Sequence, residues 1–182
     1  MKVEATPLAD LKLVRADVFQ DARGVFLETW NAREFARAGI DAEFVQDNLS
    51  ISVQHTLRGL HYQVEKPQGK LVRVVQGEVF DVAVDIRRSS PTFGCWYGDV
   101  ITAKRNLALW IPPGFAHGFL VLSQVATFEY KCTDFYAPEH ERAIRWNDPD
   151  IGIEWPLPEG AEPKLSDKDA AATAFRDADT YS

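Results

Sequence analysis

The chain has 182 residues, 46% of them hydrophobic and 26% charged, and a formal net charge of −7. That length and apolar content support one good core, so residues 1–182 are expected to form a single domain, and the negative balance argues against a nucleic-acid-binding surface. No apolar run approaches the ~18 residues that cross a bilayer, and the start, Met1 to Pro7, lacks the regions of a signal peptide, so a cytoplasmic protein with no membrane partner is expected.

The first predicted element is a short helix after Trp30. Asn31 is placed to cap it, Glu34 sits where a capping box wants a carboxylate, and Gly39 ends it. From Gln46 to Tyr136 the apolar pattern has period two, broken at short intervals by Gly and Pro, which describes the body of an all-β domain. Within it, Leu57-Arg58-Gly59-Leu60-His61-Tyr62-Gln63 reads as a strand, followed after a Pro67-Gln68-Gly69 turn by Lys70. Leu71 to Ile86 alternates on both sides of Gly77, where a hairpin or tight corner is expected. Leu107 to Leu122 is two strands around Pro112-Pro113-Gly114, with Phe115, His117, Phe119 and Val121 on one face, and Ala126 to Cys132 is expected as their partner strand. After Pro138 the chain is irregular until Ser166-Asp167-Lys168-Asp169, which resembles a capped helix start. Many short antiparallel strands at this spacing fit a sandwich or jelly-roll barrel with a ligand-sized mouth. Cys95 and Cys132, both in apolar surroundings, read as small buried thiols rather than a disulfide.

The chemistry concentrates around His61. A near-neutral base close to an ammonium, Lys70, suits proton abstraction beside a carbonyl, in which one group takes the proton and the other steadies the oxyanion. Tyr130, His117 and the late aspartates are candidates for the acid and for the partner that fixes the imidazole. Parity sets Arg58 and His61 on opposite sides of a regular strand, and a bulge at Gly59, which the sequence does not itself establish, would reconcile them. Spacing alone leaves Asp167 and Asp169 equally eligible as the histidine's partner. The four histidines, His55, His61, His117 and His140, form no close ligand pair, so no metal site is expected.

Five stretches together carry a family resemblance: Leu57–Gln63, Ser90-Pro91-Thr92-Phe93-Gly94, Ile111 to Phe119, Trp146-Asn147-Asp148-Pro149 and Leu165 to Asp169. In order and spacing over essentially the whole chain they resemble the dTDP-4-dehydrorhamnose 3,5-epimerases. The resemblance implies an all-β jelly-roll (cupin-type) barrel with short peripheral helices, a homodimer, no metal and no cofactor, and a dTDP-sugar substrate, dTDP-4-dehydro-6-deoxy-D-glucose. It implies His61 as base, Asp169 as its partner, Tyr130 as opposing acid and Lys70 as the cation that stabilises an enolate. Arg23, Glu28, Gln46, Asp47, Asn48, Arg58, His117, Glu141 and Lys168 match positions that contact the nucleotide sugar, and Tyr136 matches a ring stacked on thymine. Relatives that invert a single carbon, ketoisomerases of the same substrate class and a non-catalytic sugar-binding jelly roll are the alternatives. The joint presence of His61, Lys70 and Tyr130 speaks against the last, because binding alone needs no acid–base set.

Overall fold

The computed structural model describes residues 1–182 in full. Thirteen strands follow in chain order: β1 (Lys2–Ala5), β2 (Lys12–Arg15), β3 (Val18–Asp21), β4 (Gly24–Leu27), β5 (Gln46–Val53), β6 (Leu57–Gln63), β7 (Lys70–Gln76), β8 (Glu78–Asp85), β9 (Trp96–Thr102), β10 (Leu107–Ile111), β11 (Phe115–Val121), β12 (Val125–Cys132) and β13 (Glu141–Ala143). Two short α-helices, α1 (Ala32–Arg37) and α2 (Asp167–Ala170), lie outside them. The strands form a six-stranded sheet, β1-β2-β10-β7-β12-β5, a five-stranded sheet, β13-β6-β11-β8-β9, and a separate β3-β4 hairpin. All pairings between these strands are antiparallel. This is the jelly-roll architecture.

The two predicted turns are corners between sheets. Gly77 takes the chain from β7 in one sheet to β8 in the other, with φ +83° and the Val125 carbonyl so near that a Cβ would stand 2.3 Å from it. Pro112-Pro113-Gly114 does the same between β10 and β11. The strand Ala126 to Cys132 was expected beside Leu107 to Leu122, but β12 lies between β5 and β7. Alternation alone reports which residues share a face and not which strand pairs with which, so that misplacement follows from the signal used.

Facing side chains of the two sheets make the main core, among them Val72, Val74, Val79, Ile101, Leu109, Phe115, Phe119 and Phe128. A second cluster, Leu60, Tyr62, Val82, Val84, Ile86, Ala116 and Ile144, covers the outer face of the five-stranded sheet beneath the C-terminal segment. Both faces of β8 are therefore buried, and its polar alternates, Asp81 and Asp85, point into the protein at 0% exposure. On the outer face of the six-stranded sheet α1 seats Phe35 against Val14, Leu71, Ala108 and Trp110. Asn31 caps α1 by accepting from the Arg33 and Glu34 amides, whereas Glu34 bonds Arg37 and does not close a capping box. Cys95 is exposed and not buried as its apolar neighbours suggested, while Cys132 is buried, and both are free thiols.

Candidate active site

One end of the barrel stays open because polar side chains take over from apolar ones on the inward faces of β5, β6, β7, β11 and β12. On β7 the inward alternation Lys70, Val72, Val74 puts the ammonium at the cavity end, and on β12 the series Ala126, Phe128, Tyr130 delivers the phenol to the same end. Two cavities, of about 250 and 160 Å³, share His61, Lys70 and Tyr130 as walls. The outer one is bordered by Gln46, Asn48, Gln68, Tyr136 and Glu141, the inner one by Ser50, Arg58, His117, Phe119 and Phe128.

His61 reaches the cavity through an irregularity in β6. His117 on β11 pairs with His61, and Phe119 pairs with Arg58, so two steps on one strand span three on the other. The extra residue is the bulge that brings Arg58 and His61 to one cavity. Gly59 makes it possible: its φ is +130°, and a Cβ there would stand 2.5 Å from the Gly118 Cα and 2.8 Å from the His117 carbonyl. Arg58 donates to the Ser52 hydroxyl from both Nε and Nη2, at 3.2 and 3.1 Å.

The choice between the two late aspartates resolves to Asp169. Its Oδ1 lies 2.6 Å from His61 Nε2 and also accepts the Gly59 amide at 3.3 Å, while its Oδ2 accepts the Ser166 hydroxyl at 2.7 Å. Asp167 is exposed on the same helix. The capping role also holds, since Ser166 accepts the Asp169 amide. Burial alone would raise the Asp169 carboxyl, but the hydrogen bonds from His61, Ser166 and Gly59 outweigh it and hold the group at about 2. An ionised carboxylate only accepts, so Nε2 donates the proton shared with Asp169, and Nδ1 is the ring nitrogen left to act as a base.

Across the cavity, Tyr130 and Lys70 come from the opposite sheet. Burial raises the Tyr130 phenol, with the Cys132 thiol adding to it, so the hydroxyl keeps its proton as a donor. Burial also lowers the Lys70 ammonium, and Cys132, Glu141 and Asp81 offset part of that. At the mouth, the Tyr136 hydroxyl donates to Glu141 Oε2 at 2.6 Å, which pushes the phenol up to about 12. Lys168 forms an ion pair with the same carboxylate oxygen. Burial would raise Glu141, but Lys168 and Tyr136 prevail and lower it.

Other sequence-derived positions distribute unevenly. Gln46 and Asn48 face inward from β5, whereas Asp47 between them points out and pairs with Lys131 at 2.9 Å. Arg23 and Glu28 are exposed, Arg23 at the tip of the β3-β4 hairpin bonded to Asp21, and neither borders these cavities. Two contributors went unnoticed in the sequence. Asp81 accepts from His117 Nε2 at 3.0 and 3.1 Å, making a second buried His–Asp pair, and the buried Ser50 hydroxyl lacks any partner within the protein. The signal for Asp81 was its place in a strand buried on both faces, two residues from Ala83, the register partner of His117, and it becomes visible only once β8 and β11 are paired. No group of three or more His, Cys, Asp or Glu side chains is arranged to hold a metal ion.

Comparison with known proteins shows the family. A family profile described as dTDP-4-dehydrorhamnose 3,5-epimerase matches residues 5–177. The dTDP-4-dehydrorhamnose 3,5-epimerase of Pseudomonas aeruginosa is 54% identical over 182 residues, covering 100% of this chain and 99% of that one. The crystal structure of dTDP-6-deoxy-D-glucose-3,5-epimerase from Legionella pneumophila in complex with dTDP-4-keto-L-rhamnose superposes with a TM-score of 0.94 at 49% identity, covering 98% of this chain and 94% of that one. A more distant neighbour, at 36% identity and a TM-score of 0.87 over 94% of this chain and 86% of that one, is ChmJ, a 3′-monoepimerase from Streptomyces bikiniensis in complex with dTDP-quinovose. With a profile match over nearly its whole length and a relative above half identity, the chain belongs to the dTDP-4-dehydrorhamnose 3,5-epimerase family of isomerases.

Proposed function

We propose that this enzyme inverts carbons 3 and 5 of dTDP-4-dehydro-6-deoxy-D-glucose, giving dTDP-4-dehydro-L-rhamnose on the route to dTDP-L-rhamnose. The observation that carries the reading is a base and an acid on opposite walls of one cavity: His61, oriented by Asp169 at 2.6 Å, on one sheet, and a protonated Tyr130 on the other. The ketone at carbon 4 acidifies the protons on carbons 3 and 5. His61 Nδ1 takes a proton from one face, the electron pair moves onto the carbon 4 oxygen, and Lys70 stabilises the resulting enolate. Tyr130 then delivers a proton to the opposite face of the same carbon, and exchange with solvent restores both groups. Repetition at the second carbon completes the reaction with no redox change, so neither metal nor other cofactor is needed.

At the cavity mouth, Gln46, Asn48, Glu141 and Lys168 offer donors and acceptors for the nucleotide, with Tyr136 as a stacking surface and the Arg58 and His117 side chains deeper in the cavity. Arg23, Glu28 and Asp47 complete the grip in a homodimer, where the exposed hairpin of one copy reaches the cavity of the other. Two features support that assembly. The outer face of β7, β12 and β5 carries exposed Leu49, Ile51, Val53, Val75 and Val125, and the hairpin carries Phe19, Val25 and Phe26 at 61–70% exposure. A mainly apolar recess of about 240 Å³ between hairpin and sheet, lined by Val25, Leu27, Phe35, Val74 and Val75 with Glu28 and Arg73 at its wall, fits as interface space. No helix is long and apolar enough to cross a membrane, and the exposed free thiol of Cys95 suits the reducing cytoplasm.

The test is proton exchange in deuterated water followed by NMR of the product. The wild type is expected to place deuterium at both carbons with inversion, and label at only one carbon would assign it to the single-centre epimerases that ChmJ exemplifies. Tyr130→Phe keeps the ring and loses the donor, so turnover should fall by ~10²–10⁴-fold while label still washes in without inversion. Normal inversion by that variant would remove Tyr130 from the mechanism.

A further inference from the structure

The segment between β12 and the turn before β13, Thr133 to Ala137, places Tyr136 at the cavity mouth although its backbone-to-backbone hydrogen bonds lie only at its two ends: the Thr133 amide donates to the Gly69 carbonyl at 3.0 Å and the Ala137 carbonyl accepts the His140 amide at 3.0 Å. The next four residues are held one after another by glutamine side chains. Gln68 Nε2 donates to the Asp134 carbonyl at 2.8 Å, Gln63 Nε2 to the Phe135 carbonyl at 3.3 Å, the Tyr136 amide donates to Gln46 Oε1 at 2.9 Å, and the Ala137 amide to Gln63 Oε1 at 2.9 Å. Gln63 is the centre of this arrangement. It alone grips both sides of Tyr136, and its remaining donor goes to the Lys66 carbonyl at 2.8 Å, tying the turn before Lys70 into the same cluster. Its backbone carbonyl accepts the Tyr181 hydroxyl.

A primary amide has two N–H donors and one carbonyl oxygen, and Gln63 uses both donors and its oxygen within the protein. At 3% exposure it borders the outer cavity with no N–H left over for a ligand. Gln63 also lies two residues after His61 on β6, so the strand that presents the base is the strand that anchors the stacking ring. A surface loop fastened only by its own exposed side chains, such as the half-exposed Tyr136, samples many positions, and ordering it on binding weakens affinity.

We propose that Gln63 is a positioning residue that presets Tyr136 for the nucleobase, so that nucleotide affinity depends on a side chain that does not touch the nucleotide. The proposal rests on the reading of Tyr136 as the ring that meets the base. Its signature is a split: binding of the nucleotide half weakens, while the proton transfers at His61 and Tyr130 proceed at nearly their usual rate once the substrate is seated. A residue needed only to hold the fold together would lower the melting temperature and both kinetic parameters without distinguishing the two.

The experiment compares Gln63→Met, which keeps length and volume but removes the amide, with Gln63→Glu, which keeps an acceptor for Ala137 and loses both donors. Calorimetric titration with dTDP and steady-state kinetics are measured in the wild-type and Tyr136→Ala backgrounds. Both Gln63 variants are expected to raise the dTDP Kd and the KM by roughly tenfold, about 1.4 kcal/mol, with kcat held within about threefold. In the Tyr136→Ala background the same changes should have almost no further effect, because the group they position is gone. Additive losses in the two backgrounds, an unchanged Kd or an equal fall in kcat would each overturn the proposal. If Tyr136→Ala alone binds dTDP as tightly as wild type, the nucleobase reading of Tyr136 fails first, and that result is separate from any effect of Gln63. Should Gln63→Met not fold, Gln63→Glu carries the same comparison alone.

Discussion

His61 and Asp169 are 108 positions apart, and the energy of their contact is set by how the carboxylate is surrounded. Asp169 is at 3% exposure and held at about 2 by donors from His61, Ser166 and Gly59. A carboxylate whose folded pKa lies below its unfolded value adds stability that is fully present above the unfolded value near 4 and is lost as the pH falls through the folded value. The window for Asp169 is therefore between about pH 4 and pH 2, and its full contribution is on the order of 2 kcal/mol. Asp169→Asn should flatten the acid limb of the stability curve in that window, measured by urea denaturation at pH 5, 4 and 3. Asp85, also held at about 2 against the raising effect of its burial, is present in both proteins and cancels in the comparison. The same substitution replaces the charged, accept-only carboxylate that fixes the proton on Nε2 with a neutral amide that can also donate, so kcat should fall by ~10²-fold or more with little change in dTDP affinity. An Asp169→Asn enzyme with the wild-type acid limb would mean that the carboxylate is not ionised by these contacts.

At the scale of elements, β6 decides whether the site exists. A regular strand would turn Arg58 away from the cavity that His61 enters, and the bulge at Gly59 removes that conflict at a position where no side chain fits. Gly59→Ala combines a φ of +130° with a Cβ 2.5 Å from backbone atoms of Gly118, so the strand must either shift or separate from β11. The expected cost is about 3 kcal/mol or more, which for a chain of this size lowers the melting temperature by roughly 6–12 °C. Activity should fall further than stability, because Arg58 and His61 move relative to each other. A Gly59→Ala enzyme with wild-type melting and turnover would show the strand to be tolerant there.

Part of this element was legible beforehand, since the pattern identified the strand and the parity of Arg58 and His61 marked Gly59 as the place where a bulge would reconcile them, without establishing one. The pairing of β12 with β5 and β7, and the inward turn of Asp81, were not legible. Both depend on which strands become neighbours when the chain crosses between sheets, and alternation is blind to that. The short helix after Trp30 was readable from its cap, whereas the Glu34 half of the capping box lost to an Arg37 partner one turn away. Among site residues, those on inward faces of central strands were recoverable from sequence pattern and family resemblance. Tyr136 was named by the resemblance alone, because its position depends on glutamine side chains from β5, β6 and the turn before β7, a convergence that no local pattern reports.

At the scale of the whole molecule, the proposed role of Arg23 and Glu28 in gripping the nucleotide meets a cavity that their own chain does not bring them to. The hairpin leaves Val18, Phe19, Val25 and Phe26 in solvent, and the edge strand β5 leaves Leu49, Ile51 and Val53 exposed on the uncovered half of its sheet. Exposed apolar edges of this kind are normally paired or covered, and a two-fold dimer covers the same patch on both copies with one contact. If each hairpin serves the partner's cavity, two inactive variants should repair one another. In a mixed dimer of Arg23→Ala and His61→Asn chains, the cavity of the Arg23→Ala chain keeps its own His61 and receives a wild-type Arg23 from the other copy. The second cavity lacks both. Random mixing after mild dissociation makes half the dimers mixed, so about a quarter of wild-type activity should return from two nearly inactive proteins. If Arg23 acted within its own chain, every cavity in the mixture would lack one group and no activity would return. Ile51→Asp in either partner places a charge on the uncovered face and should abolish the repair along with the dimer, read by sedimentation and by the same deuterium-exchange assay.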